Sequence, residues 1–275
     1  MPADARFDTT LTRRRFGALA GSALAAVAFG EACDAAGLSR ASSDGRLTAR
    51  PREGMKTTAS GTKPLGLGAA RDAILQMPST ANGSVPLLVM MHGAGGRADR
   101  LLQRFGPAAD AAGIAVLAPD ARSSTWDAIR GEFGPDVGFL DRALGRVFET
   151  VAVDPARLAI GGFSDGATYA IALGLINGDL FRRVVAFSPG FLVEGTPSGK
   201  PQVFVSHGTA DPILPIERCS RVIVPALRKR GYDVVFREFD GGHEVPAAIG
   251  TEGLEWMRSP SGDRTYNPQL PGGWV

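Results

Sequence analysis

The stretch Arg157-Leu158-Ala159-Ile160-Gly161-Gly162-Phe163-Ser164-Asp165-Gly166-Ala167 decides the fold. An apolar run leads into Gly162-Phe163-Ser164-Asp165-Gly166, a G-x-S-x-G pentapeptide, and small residues that open a helix follow. Strand, sharp turn and helix in that order make a nucleophile elbow. The serine of such a turn sits in strained backbone, so bulky neighbours at Gly162 and Gly166 would clash. The turn lifts the Ser164 hydroxyl above a sheet and sets it at a helix N-terminus, where backbone N–H groups and the helix dipole favour negative charge. The plain alternative is a glycine-rich turn with an incidental serine. The strand–turn–helix context and the partner residues below favour a catalytic Ser164.

Outward from the elbow, Val85 to Met91 is a near-continuous apolar run, the pattern of a parallel strand buried on both faces. Arg71 to Met77 predicts a strand before it. His92-Gly93-Ala94-Gly95-Gly96 then leads into a helical stretch that Gly113 closes, and Ile114 to Ala118 predicts the next strand. Pro135-Asp136 opens a helix with Asp136 as its N-cap, and Val137, Leu140, Leu144, Val147 and Val151 recur at helical spacing. Val184 to Phe187, Val203 to Val205 and Val234 to Phe239 predict further strands; Ile216 to Arg230 predicts a helix that Pro225 kinks. Strands alternating with helices predict an α/β architecture: a mostly parallel central sheet with helices on both faces and no insertion large enough for a cap domain.

The chain has 275 residues, enough for one large domain. Its net charge of +2, without a basic block in the body of the chain, argues against nucleic acid as a partner. The start of the chain differs from the rest. Thr12-Arg13-Arg14-Arg15-Phe16 precedes an uncharged small and apolar run from Gly17 to Gly30, the pattern of a signal peptide of the twin-arginine type. That run is short of the ~20 residues a membrane span needs. Gly30 and Ala32 supply small residues at a cleavage site ending before Cys33. Alternatively Cys33 is a lipid-anchored first residue, although lipoprotein signals usually carry Leu where this chain has Gly30. The expected organisation is a signal peptide over 1–32, a linker over 33–66 rich in Ala, Ser, Gly and Thr, a catalytic domain over 67–258, and an irregular Pro/Gly-rich tail over 259–275. The expected location is outside the cytoplasm. The other cysteine, Cys219, sits among Ile216, Val222, Ile223 and Leu227 as a small buried hydrophobe, and no disulfide framework is read.

A serine hydroxyl needs a base to become a nucleophile. The chain has three histidines. His92 sits beside the glycine loop and His207 ends a strand, positions that suit structural hydrogen bonds. His243, in Gly241-Gly242-His243-Glu244-Val245-Pro246, lies on a loop after the last strand, where a base reaches an elbow. The base needs an acid to fix its tautomer and stabilise the imidazolium. Asp211, in His207-Gly208-Thr209-Ala210-Asp211-Pro212, follows a predicted strand. Asp240 and Glu244 are nearer His243 in sequence, but neighbours in sequence are badly placed for its Nδ1 and both are expected to face solvent. An oxyanion needs two donors; the backbone N–H groups of Asp165 and Ala94 are the candidates. The Asp165 carboxylate also suits the first turn of its helix.

His92-Gly93-Ala94-Gly95-Gly96, Gly162-Phe163-Ser164-Asp165-Gly166, His207-Gly208-Thr209-Ala210-Asp211 and Gly242-His243 together resemble the phospholipase/carboxylesterase branch of the α/β-hydrolases, and the related secreted esterases of the polyhydroxybutyrate-depolymerase type. The order Ser164, Asp211, His243 is the order of that superfamily. The likeness spans about residues 70 to 258. It implies a Ser–His–Asp acyl hydrolase, without metal or organic cofactor, acting on a small-molecule or polymeric ester. It leaves the acyl chain, the alcohol and the oligomeric state open. Trp126, Phe133, Phe191 and Leu192 are candidates for the wall of a substrate pocket, with plain core packing as the alternative.

Two other readings compete. Gly93-Ala94-Gly95-Gly96-Arg97-Ala98, with Asp120 at the end of the next predicted strand, imitates a dinucleotide-binding fingerprint of an oxidoreductase. His92 before the first glycine, and the lack of a Tyr-x-x-x-Lys pair, count against it. It also leaves Ser164, Asp211 and His243 unexplained. A hydrolase fold kept as a non-catalytic binding protein requires a missing catalytic member, and each has a candidate.

Overall fold

In the computed structural model, which describes residues 44–68 and 70–259, the apolar runs become strands. They are β1 (Thr62–Pro64), β2 (Ala73–Gln76), β3 (Val85–Met91), β4 (Ala115–Pro119), β5 (Val153–Phe163), β6 (Arg183–Phe187), β7 (Gln202–Gly208) and β8 (Val234–Phe239). The helices are α1 (Ala98–Ala111), α2 (Asp127–Arg130), α3 (Pro135–Phe148), α4 (Asp165–Ile176), α5 (Ser220–Lys229) and α6 (Ala247–Arg258). One sheet carries the strands in the order β1-β2-β4-β3-β5-β6-β7-β8. The pairs β1–β2 and β2–β4 are antiparallel and every pair from β4 to β8 is parallel. The expected mostly parallel sheet between helices is therefore present.

The period of the strands explains the two layers. On β3, Leu87, Val89 and Met91 enter the core shared with α3, α4 and α5, while Leu88 and Met90 enter the core shared with α1 and α6. Both faces are covered, so β3 is apolar at every position. Helix α4 is buried from Gly166 to Ile176, which is why its sequence is apolar all round. The chain runs from β3 to β4 on one side and returns to β5 on the other. The loops leaving the C-terminal ends of β3 and β5 thus flank a topological switch point, where open α/β sheets build their crevices.

Three local expectations change. Part of the stretch expected as linker, from Asp44 to Leu65, is folded onto the domain: Leu47 is 1% exposed in the core and β1 adds an edge strand. Polar anchors hold it. Asn177 Oδ1 accepts the Leu47 N–H (2.8 Å) and its Nδ2 donates to the Gly45 carbonyl (2.9 Å). Asp141 accepts the N–H groups of Thr48 and Ala49, and Arg46 and Arg50 pair with Asp179. Small polar composition reads as linker because these partners lie far along the chain. Second, Asp136 does not cap α3. Gly134 is the N-cap and Pro135 takes the first helical position that suits its fixed φ, which moves Asp136 into the first turn. Its oxygens accept the N–H groups of Arg122 (2.6 Å) and Asp127 (2.8 Å) instead. Third, the helix expected from Ile216 begins at Ser220, after turns closed on the Ile216 carbonyl, and runs on through Pro225. The stretch read as a signal peptide, Cys33 and the tail beyond Ser259 lie outside the described residues.

Asn177→Ala is expected to leave the Leu47 N–H and the Gly45 carbonyl without their partner and to cost about 1–3 kcal/mol. Urea unfolding of the two proteins measures it; an unchanged midpoint would mean that the 44–50 segment is not anchored through this amide.

Candidate active site

Strand β5 ends at Phe163 and α4 begins at Asp165, leaving Ser164 alone in the turn with φ 57° and ψ −122°. Few non-glycine residues adopt that left-handed backbone, at a cost of about 1–3 kcal/mol. The surroundings fix it. The Ser164 N–H donates to the Phe187 carbonyl (2.9 Å), and its carbonyl accepts the N–H groups of Ala167 and Thr168. A Cβ on Gly162 would lie 2.3 Å from the Gly166 carbonyl carbon, and one on Gly166 would lie 2.3 Å from the Met91 carbonyl oxygen. Both glycines are thus required by close backbone approach, the reason anticipated from the pentapeptide. Ser164 retains only 9% exposure, because the loop after β3 leans on it: a Cβ on Gly93 would meet Ser164 Cβ at 3.2 Å.

The loops after β7 and β8 bring the other two residues to Ser164. They are locked together by Thr209 N–H to the Phe239 carbonyl and Ala210 N–H to the Gly241 carbonyl. Gly208 sits where any Cβ would be 2.2 Å from the Gly242 oxygen. From these loops His243 reaches Ser164 Oγ with Nε2 at 2.9 Å and Asp211 Oδ2 with Nδ1 at 2.7 Å. A carboxylate only accepts, so Nδ1 carries the proton and Nε2 is left to accept from the Ser164 hydroxyl. The Phe163 ring packs on the imidazole at 4.8 Å, and Arg104 donates to the Val245 carbonyl, tying the histidine loop to α1. Asp240 and Glu244 are exposed.

Asp211 is buried, which by itself would raise its carboxyl. The Leu214 N–H, the His243 bond and the Ile213 N–H outweigh that, and the group lies below the usual carboxylate range. Its Oδ1 accepts from Ile213 (2.9 Å) and Leu214 (2.8 Å). Its Oδ2 also lies 3.2 Å from His207 Nε2, a contact the sequence did not announce. Another unannounced contact is the Thr125 hydroxyl, which donates to the Asp165 carboxylate at 2.6 Å. The first joins residues four apart in sequence, the second residues 40 apart.

The N–H groups of Asp165 and Ala94 have no acceptor among the described residues; Asp165 follows Ser164 and Ala94 follows Gly93, which packs against Ser164. His92 is buried beneath the glycine loop. Its Nδ1 donates to the Gly93 carbonyl (2.7 Å) and its Nε2 accepts from Ala121 (3.0 Å); burial lowers its pKa and keeps it neutral. Asp120 is buried and accepts the Ala98 N–H (2.7 Å) at the start of α1, so it is not presented to a ribose as the dinucleotide reading requires.

Of the expected pocket residues, Trp126 does not line a pocket. It is 1% exposed, stacks on Tyr169 at 5.3 Å and donates Nε1–H to the His92 carbonyl. Packing won there because the indole satisfies its one donor inside the core. Phe133 and Leu192 are partly buried against the same core. Phe191, on the loop after β6, is 40% exposed. Ile213, two residues from Asp211 in sequence, is 62% exposed and was not among the expected residues.

The fold agrees with that of solved esterases. The structure of esterase PE8 superposes with a TM-score of 0.56 at 22% identity, covering 67% of this chain and 96% of that one. This chain has the α/β-hydrolase fold. Residues 140–248 of the chain match the family described as Phospholipase/Carboxylesterase, a segment that contains Ser164, Asp211 and His243. "Putative esterase NocK" of Nocardia uniformis subsp. tsuyamanensis is 30% identical over 146 residues, 49% of this chain and 42% of that protein. Acyl-protein thioesterase 1 of Gibberella zeae is 29% identical over 101 residues, 33% of this chain and 43% of that protein. The chain thus spans less than half the length of the curated relatives it matches.

Proposed function

We propose that the protein is a serine hydrolase that cleaves carboxylic ester or thioester bonds through an acyl-enzyme on Ser164. The observation that carries this reading is the unbroken line Asp211 Oδ2, His243, Ser164 Oγ, with bonds of 2.7 and 2.9 Å, ending on a serine at a helix N-terminus. The esterase and thioesterase names of the relatives support it.

The steps follow from the groups present. Ser164 Oγ attacks the acyl carbon while His243 Nε2 takes its proton. Asp211 holds Nδ1–H and stabilises the imidazolium. The negative oxygen forms where the Asp165 and Ala94 N–H groups are unpartnered; one such donor is worth about 10²–10³ in rate. Collapse expels the alcohol or thiol, which takes the proton from Nε2, and leaves the acyl group on Oγ. Water then attacks that ester, giving its proton to Nε2. The second tetrahedral species collapses to free acid, and Oγ regains the proton. The exposed Phe191, on the loop after β6, and Ile213, two residues from Asp211, support an acyl chain or alcohol of apolar character. The twin-arginine pattern at Arg13 and Arg14 supports export, with Cys33 as the alternative site of lipid anchoring.

Three experiments test these readings. Asp211→Asn is expected to lower kcat by up to about four powers of ten with little change in KM, because the wrong histidine tautomer is then held. Asp240→Asn should do little. Both are compared with Ser164→Ala in one chromogenic ester assay, circular dichroism confirming the fold. An active Ser164→Ala, or a crippled Asp240→Asn beside a normal Asp211→Asn, contradicts the assignment.

Phe191→Ala is expected to reduce kcat/KM for an octanoyl ester about tenfold, as several methylene contacts are lost, and to spare an acetyl ester. Equal effects on the two would remove Phe191 from the substrate path. Changing Arg13 and Arg14 together to Lys should retain the protein in the cytoplasm; fractionation showing normal export would count against the leader.

A further inference from the structure

His207 is wholly buried and has no part in the steps above. Its hydrogen bonds define its state. Nε2 faces two acceptors, the Leu214 carbonyl at 2.7 Å and Asp211 Oδ2 at 3.2 Å, so Nε2 carries the proton. Nδ1 then accepts from the buried Ser220 hydroxyl at 2.7 Å. Burial lowers the pKa of the ring and keeps it neutral. The arrangement closes a ring of bonds. Leu214 N–H holds Asp211 Oδ1, and the Leu214 carbonyl shares the His207 proton with Asp211 Oδ2. Two imidazoles therefore converge on Oδ2, and the lone pairs offered to His207 are withdrawn from His243.

We propose that His207 is a positioning residue that sets the charge Asp211 presents to His243, with Ser220 orienting it. The inference rests on the roles given above to Ser164, His243 and Asp211. A hydrogen bond to a carboxylate stabilises its charged form and weakens its pull on a second partner. Removing the His207 donor concentrates charge on the side of Oδ2 that meets Nδ1–H, stabilises the His243 imidazolium and raises the pH below which the base is lost. The Ser220 hydroxyl polarises the His207 ring and strengthens its Nε2–H, so its loss acts in the same direction. The other titratable groups around this cluster are placed not to mask the effect. Cys219, at the start of α5, is pushed up to about 11 by burial and stays a thiol. Glu238, the β8 partner of His207, is paired with Arg221, and Asp240 and Glu244 face solvent.

The test is the pH dependence of kcat/KM on a short chromogenic ester for wild type, His207→Phe, His207→Gln and Ser220→Ala. The acid limb is expected to move up by about half a pH unit in His207→Phe with KM unchanged, and by less in Ser220→Ala. In His207→Gln, whose amide N–H reaches toward the Nε2 position, it should return toward wild type. A residue that served packing alone would scale kcat equally at every pH. An unmoved limb in a folded His207→Phe therefore overturns the proposal, as does a limb displaced as far by Gln as by Phe. Should His207→Phe fail to fold, a wild-type limb in Ser220→Ala overturns it. The Ser164→Ala control separates the two levels. If that variant is active, the catalytic assignment falls and this inference with it. If it is inactive while the limbs coincide, only the role of His207 falls.

Discussion

The backbone of the elbow has no room for a side chain. A Cβ at Gly166 would enter the Met91 carbonyl oxygen and one at Gly162 would enter the turn itself, both at 2.3 Å. Because α4 is pressed this closely on the end of β3, Ser164 is forced into left-handed backbone, and its hydroxyl stands at the head of a helix buried almost throughout. The same pressure brings the Gly93 loop against Ser164. The strain of about 1–3 kcal/mol is held by bonds from β6 and from the first turn of α4, so the serine is set before any substrate arrives.

A second close approach does for Asp211 and His243 what the first does for Ser164. Gly208 lets the loop after β7 lie flush on Gly241 and Gly242, and two backbone bonds fasten the loops. Asp211 and His243, distant in the chain, then meet at 2.7 Å without a long flexible connection. Preorganisation of this kind limits what must be reordered when charge develops on the imidazole. It also explains how a buried carboxyl stays ionised: four donors surround Asp211, two of them backbone N–H groups that no side-chain change removes.

The periphery follows a different logic. Residues 44–66 have the composition of a connector, yet Leu47 is sunk in the core because Asn177, Asp141 and Asp179 offer bonds to the backbone and arginines around it. Trp126 shows the reverse displacement. Its position between a strand and a helix suited a pocket wall, but the His92 carbonyl accepts its N–H and Tyr169 covers its face, so it belongs to the core beneath the glycine loop.

What the sequence determined by itself is local. Unbroken apolar runs identified strands covered on both faces, and G-x-S-x-G between an apolar run and a helix start identified the elbow, because each depends on steric and burial rules acting within a few residues. The order Ser164, Asp211, His243 pointed to Asp211 ahead of the acids nearer His243 only through a resemblance. Tertiary structure decided the rest: that Asp211 and not Asp240 touches His243, that Asp120 and Asp136 serve backbone N–H groups, that the 44–66 segment is anchored, and that His207 shares the carboxylate of Asp211. All but the last, which joins residues four apart, are hydrogen bonds between residues whose separation along the chain carries no local signal. They exist because the sheet places the ends of β3, β5, β7 and β8 side by side.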